Sequence, residues 1–478
     1  MRAKRQSKDK ICRDKLIRTV LPVKEAHVGI SETVIKQREY FSSQATKPYS
    51  FRRKQLKELR AAIIKNESKI AAALQQDLNR SDAQAYMTET GMIIQELTYI
   101  IRRLKGWMKR KKLPSPFILP FTKFYVSPEP YGVVLIISPW NYPFFLTFLP
   151  LMAALAAGNC AVVKPSKASG ASMRVIDEIL TECFPEEYAD VITPDSGNAY
   201  DVLNEKFDYI FFTGGTETGR KVLHSAAENI TPVTLELGGK CPCIVHEDCD
   251  FKKTVARITA GKFLNAGQTC VAPDYILAHK GMRLIIGDAI RAKTAAMYGE
   301  DAYLSKDFGR IINERELDRI AQAAGQDIKV FKDKKYIEPL VVENAGENTG
   351  LMQEEVFGPV LPIVYYDTIE EAIEFVNKRE KPLVLYLFTK SRQIMKKVLA
   401  ETSSGSACVN DTVVHMSNPD MPFGGTGGSG FGRYRGKAGF DTFSNMKSVM
   451  EQTNLFDMKL RYPPVTNAVK TLLKMILR

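Results

Sequence analysis

Cys270 closes a small polar loop, Ala266-Gly267-Gln268-Thr269, and Pro273 stands three residues beyond it. A structural cysteine would usually lie in an apolar run. A metal ligand would usually have a Cys or His two to four residues away, and neither description fits. Position alone leaves two readings, a thiol held on a turn for its reactivity or an ordinary loop cysteine. Two glycine loops invite a second kind of chemistry. Gly425-Thr426-Gly427-Gly428-Ser429-Gly430 matches G-x-G-x-x-G letter for letter, but no buried strand precedes it and no helix follows. The stretch FDYIFFTGGTETGRKVLHSAA, residues 207–227, has the better context. A buried strand enters Thr213-Gly214-Gly215, and an amphipathic helix starts after Gly219. Glycines at such a turn let the backbone approach a diphosphate at the positive end of a helix, with a plain tight turn as the alternative. Glu236, between Leu235 and Leu237, reads by itself as a polar strand position, and Asn141, among aromatics and prolines, as a turn residue.

The elements that must carry these residues follow from periodicity. From about Glu32 to Arg110, apolar residues recur at three- and four-residue intervals and predict helices. Lys109–Lys112 and Pro114, Pro116 and Pro120 mark a surface connection. From Gly132 strands alternate with helices: VVLII, a helix near Phe148–Ala157, NCAVVK, a helix over Ala171–Cys183, YADVIT, a helix, FDYIFFTGG, and a helix from Glu217. This alternation predicts a parallel α/β sheet of dinucleotide-binding type. A second alternating series runs from Glu236 to about Asn410. The uncharged run Gly132–Val163 is long enough for a membrane span, but Pro139, Pro143 and Pro150 break it into strand, loop, helix and strand.

Composition narrows the class. The 478 residues carry eight cysteines without the spacing of a disulfide framework, and no secretory signal is visible, so reduced thiols in a cytoplasm are expected. Cys241 and Cys243 read as alternate residues of a strand. The formal charge of +13 belongs to the ends: residues 1–28 hold nine Lys/Arg against three Asp/Glu, and residues 458–478 hold five Lys/Arg and no acid. The near-neutral body argues against a nucleic-acid groove.

Four segments converge in order and spacing: Pro139-Trp140-Asn141-Tyr142-Pro143, Glu236-Leu237-Gly238-Gly239-Lys240, the Cys270 loop, and Glu354-Glu355-Val356-Phe357-Gly358-Pro359. Together they resemble the aldehyde dehydrogenase superfamily, and FTGGTETG, TPVTLELGGK, AGQTCVAPDY and RYPP look like its class 3 branch of fatty and aromatic aldehyde dehydrogenases. The resemblance covers about residues 30–464. It implies an α/β fold with a Rossmann-type cofactor domain, an α/β catalytic domain and a small β extension for oligomerisation. The expected boundaries are a basic extension 1–28, a cofactor-binding domain 29–235 with part of the oligomerisation hairpin near 108–130, a catalytic domain 236–411, an oligomerisation and site-entrance segment 412–455, and a basic tail 456–478.

The resemblance implies roles as well. Cys270 would attack the aldehyde carbon, and Asn141 with the Cys270 amide would hold the oxyanion. Glu236 would activate the water that hydrolyses the resulting thioester. NAD or NADP would lie against Lys164, Ser166, Lys167, Thr213, Gly214, Gly215 and Gly219, with Glu355 on the nicotinamide ribose and Phe357 near the ring. No metal is implied, and a homodimer acting on a small-molecule aldehyde is expected. Relatives that pass the acyl group to coenzyme A usually lack the base, so Glu236 argues against that alternative. Retention of Cys270, Glu236, Asn141 and Glu355 argues against a catalytically silent binding protein.

Three departures qualify the resemblance. Where the family commonly has Lys-Pro-Ser-Glu, this chain has Lys164-Pro165-Ser166-Lys167. The reversed sign predicts that NADP is accepted, the alternative being that Lys167 points to solvent and NAD still binds. Tyr434-Arg435-Gly436 and Phe443-Ser444-Asn445 replace YHG and FSH, and Gly215 replaces a usual Ser, which leaves the preferred aldehyde open. The tail PPVTNAVKTLLKMILR winds into an amphipathic helix with Val465, Val469, Leu472, Leu473, Ile476 and Leu477 on one face. It suits a peripheral place in an anionic membrane interface, or docking on the protein's own surface or a second subunit.

Overall fold

The structure, a computed structural model, describes residues 29–116, 119, 121–193, 201–325, 328–455, 457 and 462–476. The basic extension 1–28 lies outside them, as do Leu477 and Arg478. Four long helices come first, as the apolar spacing demands: α1 (Ile30–Ser42), α2 (Tyr49–Lys65), α3 (Glu67–Leu78) and α4 (Gly91–Trp107), with a single helical turn, Asp82–Ala85, between the last two. Leu56, Leu59 and Ile63 of α2 and Leu97, Ile100 and Leu104 of α4 turn inward and are buried. A π turn, Tyr86–Thr90, leads into α4 and carries Glu89 into the core. The chain then leaves the body in β1 (Lys111–Leu113) and β2 (Lys123–Pro130), an antiparallel pair.

Five short strands follow: β3 (Val133–Ile137), β4 (Cys160–Lys164), β5 (Ala189–Val191), β6 (Tyr209–Gly214) and β7 (Val233–Leu237). They lie parallel in the order β7-β6-β3-β4-β5, and the nearly uninterrupted apolar runs of β3 and β4 reflect burial on both faces. The crossovers are α5 (Pro143–Ala157), α6 (Gly170–Cys183) and α7 (Thr216–Glu228). The helix read near Phe148 thus begins five residues earlier. Pro143 is its first residue, where a missing N–H costs nothing, so that proline starts the helix rather than interrupting it. Every residue of α5 is buried, and Pro150 is accommodated inside it. Its ends are held by distant groups. Glu89 Oε2 accepts from the amides of Phe144 (2.7 Å) and Phe145 (3.0 Å), and Arg52 Nη1 donates to the Ala156 carbonyl (3.2 Å). An anion at the N-terminus and a cation at the C-terminus match the helix dipole. Of the helix expected between YADVIT and FDYIFFTGG, residues 194–200 lie outside the described residues, and Asp201–Asn204 form a single 3-10 turn.

A second parallel sheet has the order β12-β13-β9-β8-β14-β15. Its strands are β8 (Pro242–Val245), β9 (Tyr275–His279), β12 (Leu340–Glu343), β13 (Val360–Tyr366), β14 (Val384–Phe388) and β15 (Ser406–Val409). Between β9 and β12 lies a small hairpin of β10 (Val330–Phe331) and β11 (Tyr336–Ile337). Cys243 is in β8, while Cys241 lies just before it, so the two are not alternate residues of one strand; both are buried. The glycine-rich stretch contributes β16 (Gly430–Phe431), which lies antiparallel along β7 with Gly430 opposite Glu236. Finally β17 (Ser444–Glu451) returns to pair with β2, completing a three-stranded antiparallel sheet. The tail forms a helix over Asn467–Ile476.

Candidate active site

The carboxyl ends of adjacent parallel strands define one edge. In the order β7-β6-β3-β4 that edge presents Glu236, Thr213 beside it in register, the loop leading from β3 to Asn141, and Lys164. Ligands of open α/β sheets bind at this edge.

Cys270 is brought there by the loop that ends helix α8 (Phe251–Phe263). Asn265 and Ala266 both take left-handed φ, 53° and 51°, and Gly267 follows at 76°. A Cβ on Gly267 would lie 2.2 Å from the Gly358 carbonyl oxygen, so glycine is required. The small residues are held by a closed hydrogen-bond set. Asn141 Nδ2 donates to the Gln268 carbonyl (3.0 Å), and Asn265 Nδ2 donates to the carbonyls of Asn141 (3.0 Å) and Gln268 (3.1 Å). Gln268 is itself fixed by the Arg310 carbonyl (2.9 Å) and the Ile312 amide (3.0 Å), and Thr269 by the Tyr142 hydroxyl (2.7 Å). Arg80 donates to Asn265 Oδ1 (3.1 Å) and to the Asn141 carbonyl, and it is paired with buried Glu89 at 2.5 Å. The pair that caps α5 thus also holds the Asn141 turn against the cysteine loop.

Cys270 is half-buried, and its carbonyl accepts from the Cys241 thiol (3.3 Å). Burial, together with the nearby carboxylates of Glu355 and Glu236, pushes its thiol up to about 12, against the pull of the Cys270 and Val271 amides. The chain alone therefore holds Cys270 as a thiol at neutral pH. Glu236 is buried, and neither carboxylate oxygen has a hydrogen-bond partner. Burial raises it well above the usual carboxylate range; Arg433 and the Gly425 amide oppose this without reaching bonding geometry. A Cβ at Gly424 would lie 2.8 Å from Glu236 Oε1, so the glycine-rich stretch rejected as a dinucleotide loop gives the chain room to wrap this carboxylate.

Glu355 presses on Gly238, where a Cβ would fall 1.9 Å from its Oε2. Burial, with the charge of Asp274 adding to it, raises it to about 8 against Gly239, Lys240 and Arg319. Its backbone is clamped: Arg319 donates to the carbonyls of Glu355 (3.1 Å) and Val356 (2.9 Å), and Asp274 Oδ1 accepts from the Val356 amide (2.9 Å). Lys240 pairs with Asp274 and donates to the carbonyls of Leu351 (2.7 Å) and Glu354 (2.8 Å). Phe357, at φ 44°, sets its ring edge-on to Trp140 with 5.5 Å between centroids.

The remaining candidates line the same edge. Thr213 is buried with an unpartnered hydroxyl. Gly214 and Gly219 are spaces that a Cβ would close, 2.7 Å from Phe212 and 2.6 Å from Leu237, whereas Gly215, the N-cap of α7, faces open space. The orphan amides of α7 and these glycines fit a diphosphate. Lys164 is half-buried, and burial and the Lys167 charge lower it. Lys167 is exposed, and Ser166 accepts bonds within its own turn, its hydroxyl from the Ala168 amide and its carbonyl from the Ser169 hydroxyl. Sequence reasoning missed Arg80, Glu89, Asn265, Lys240 and Asp274. Asp274 sits in the PDY segment already singled out, and Lys240 ends the GGK segment, so those two had a signal. Among the described residues no group of three His, Cys, Asp or Glu could hold a metal ion.

Residues 18–449 match the description "Aldehyde dehydrogenase family". The match begins inside the segment expected as an extension. A 4,4'-diaponeurosporen-aldehyde dehydrogenase of Staphylococcus aureus is 42% identical over 92% of this chain and 98% of its own length. A dimeric NADP-preferring aldehyde dehydrogenase of Canis lupus familiaris is 41% identical over 91% and 98%. Among solved structures, a substrate-bound AldH of Staphylococcus aureus superposes with a TM-score of 0.90 at 40% identity, covering 94% of this chain and 99% of that one. A betaine aldehyde dehydrogenase of Staphylococcus aureus in complex with NAD+ superposes at 0.80 and 27% identity, covering 91% and 89%.

Proposed function

This chain belongs to the aldehyde dehydrogenase family and oxidises an aldehyde to the carboxylic acid with NAD or NADP, and from that premise we propose which of its residues do the work. Cys270 gives its proton up to solvent and attacks the aldehyde carbon as thiolate, giving a thiohemiacetal whose oxyanion is held by Asn141 and the Cys270 amide. The chemistry that bound NAD(P) would supply here is acceptance of the hydride from that carbon, after which Cys270 carries a thioester. Glu236 takes a proton from water as the water attacks the thioester; the C–S bond breaks, the acid leaves, and Cys270 recovers its proton. Supporting this is one observation above the rest: Glu236 is buried, unpartnered and within electrostatic reach of Cys270. Cys270→Ala should abolish aldehyde-dependent NAD(P)H formation, whereas Glu236→Gln should release a single burst and then stall as the thioester. Turnover surviving in Cys270→Ala overturns the assignment.

Thr213, Gly214, Gly215 and Gly219 would take the diphosphate, Lys164 and Ser166 the adenosine ribose, and Glu355 with Phe357 the nicotinamide end. Lys167, close enough to Lys164 to lower it, supplies a cation for a 2′-phosphate, so NADP binds at least as well as NAD. Lys167→Glu should weaken binding of adenosine 2′,5′-bisphosphate about tenfold by calorimetry. Unchanged affinity places Lys167 in solvent. The family's dimeric relatives and the outer edge of β17, unpaired among the described residues, support a homodimer, and the tail helix supports peripheral membrane contact. Among the described residues no helix is long and apolar enough to cross a membrane.

A further inference from the structure

Glu236 can take a proton from water only as the ionised carboxylate, and its burial opposes that form. Among the described residues one cation answers this. Arg433 is the only charged group that favours the carboxylate, and the Gly425 amide assists it. Cys270 and Tyr434 face the same carboxylate, since each feels its charge, and Thr213 stands beside it in register on β6. None of the three can balance it. Thr213 offers a hydroxyl, Tyr434 is kept neutral by burial, and Cys270 has no charge as a thiol or as a thioester.

The glycine-rich stretch sets Arg433 beside the carboxylate. β16 runs along β7 with Gly430 opposite Glu236 and Phe431 opposite Leu235. Gly430 and Gly432, at φ 110° and 97°, permit so close an approach; a Cβ would fall 1.9 Å from the Leu235 carbonyl oxygen at the first and 2.5 Å from Thr234 Oγ1 at the second. The chain then carries Arg433 back over Gly424. The place that a Gly424 Cβ would occupy lies 2.8 Å from Glu236 Oε1 and 2.9 Å from Arg433 Nη1, so the two charges are no further apart than those distances together. They stop short of a hydrogen bond. An opposite charge at this range eases ionisation of a carboxyl by about 1–3 pH units.

Arg433 is fixed in place without being neutralised. The Thr442 hydroxyl donates to its carbonyl, and the next residue, Tyr434, exchanges amide and carbonyl with Phe423 (2.8 and 3.0 Å). Nη1 donates to the carbonyls of Gly425 (2.5 Å) and Gly432 (2.8 Å), so one nitrogen closes the turn. Nε and Nη2 make no bond among the described residues, and no carboxylate there pairs with the guanidinium. A role in tying two carbonyls would need only a donor. The charge is left over, and the carboxylate across Gly424 is what it faces.

We propose that Arg433 is a positioning residue for the deacylation base: acting across Gly424, its guanidinium is the counter-ion of the Glu236 carboxylate while water attacks the Cys270 thioester. The proposal rests on the reading of Glu236 as that base. Three replacements in the full-length protein separate charge from hydrogen bonding. Arg433→Lys keeps a charge and a donor, Arg433→Gln keeps a donor alone, and Arg433→Met keeps neither. With octanal and saturating NADP, the burst reports acylation of Cys270, and the steady state after it reports deacylation. Between roughly pH 5 and 10 the steady-state rate should fall on the acid side as Glu236 takes a proton. Without the cation that proton is held to higher pH, so in the Gln and Met variants the acid limb should move up by about one pH unit or more, with rates below it about tenfold lower. In Arg433→Lys it should stay within about half a unit of the wild type. A retained burst shows an intact site, and either neutral variant serves if the other lacks it. An infrared titration of the Glu236 carboxyl band, taken as the difference from Glu236→Gln, should show the same displacement without turnover. A band that the neutral changes leave unmoved, that Lys moves as far as Met, or that Met moves and Gln does not, overturns the proposal. A displaced band with an unmoved steady-state limb upholds the counter-ion and counts against the base reading alone.

Discussion

At the residue scale the site is a place where carboxylates and a thiol are kept uncharged together. Burial raises Cys270, Glu236 and Glu355 alike, and at Cys270 the charges of the two glutamates add to it, because burial and like charge both disfavour ionisation. A cation placed among them would lower all three at once, so under the proposed roles Cys270 would be readied by what binds rather than by the resting chain. Glu355 also makes folding sensitive to pH. Its folded-state value of about 8 lies above the ordinary value of 4.5, so its contribution is complete below about 4.5 and is lost as pH rises through about 8. Glu355→Gln removes that proton linkage. Urea midpoints taken between roughly pH 5 and 9 should therefore show the wild type losing stability relative to the variant as pH rises. Parallel curves would show that Glu355 titrates near the ordinary value.

At the scale of elements, helix α5 connects packing to chemistry. Glu89 satisfies two amides at its start and pairs with Arg80, which in turn grips the Asn141 carbonyl and Asn265. Removing one partner of so buried a pair leaves an uncompensated charge and costs about 3–5 kcal/mol. Glu89→Ala should lower the unfolding free energy by that amount and also depress kcat, because the Asn141 turn loses its support. The double variant Arg80→Met, Glu89→Leu should be less destabilised than Glu89→Ala, as denaturant titration would show. Strand–helix alternation made the sheets legible in the sequence, and the order of the motifs pointed to Cys270, Glu236 and Asn141, which the fold brings to one sheet edge. Arg80 and Glu89 were not legible, since their partners lie as far as 185 residues away and nothing local distinguishes them from surface charges. The start of α5 was misplaced because Pro143 reads as an interruption until its position as the first helical residue is known.

At the scale of the whole molecule, two surfaces are left without partners among the described residues. β17 has eight residues, and β2 pairs with one side of it, so its outer edge offers a row of backbone groups that a second copy can cover. The tail helix carries basic residues on one face, with Val469, Leu472 and Leu473 half-buried on the other. Val465 and Met475 stand 59% and 70% exposed. Under the peripheral contact proposed above, such a helix would lie in the interface, held by apolar burial plus attraction to anionic lipid. The two surfaces make separable predictions for a chain ending at residue 462. Light scattering should still give the mass of a dimer, because β17 is intact. Flotation with anionic vesicles, expected for the full chain at low salt and weakened by high salt, should disappear. If the shortened chain becomes monomeric, the tail belongs to the subunit interface; if it floats as before, the tail is no anchor.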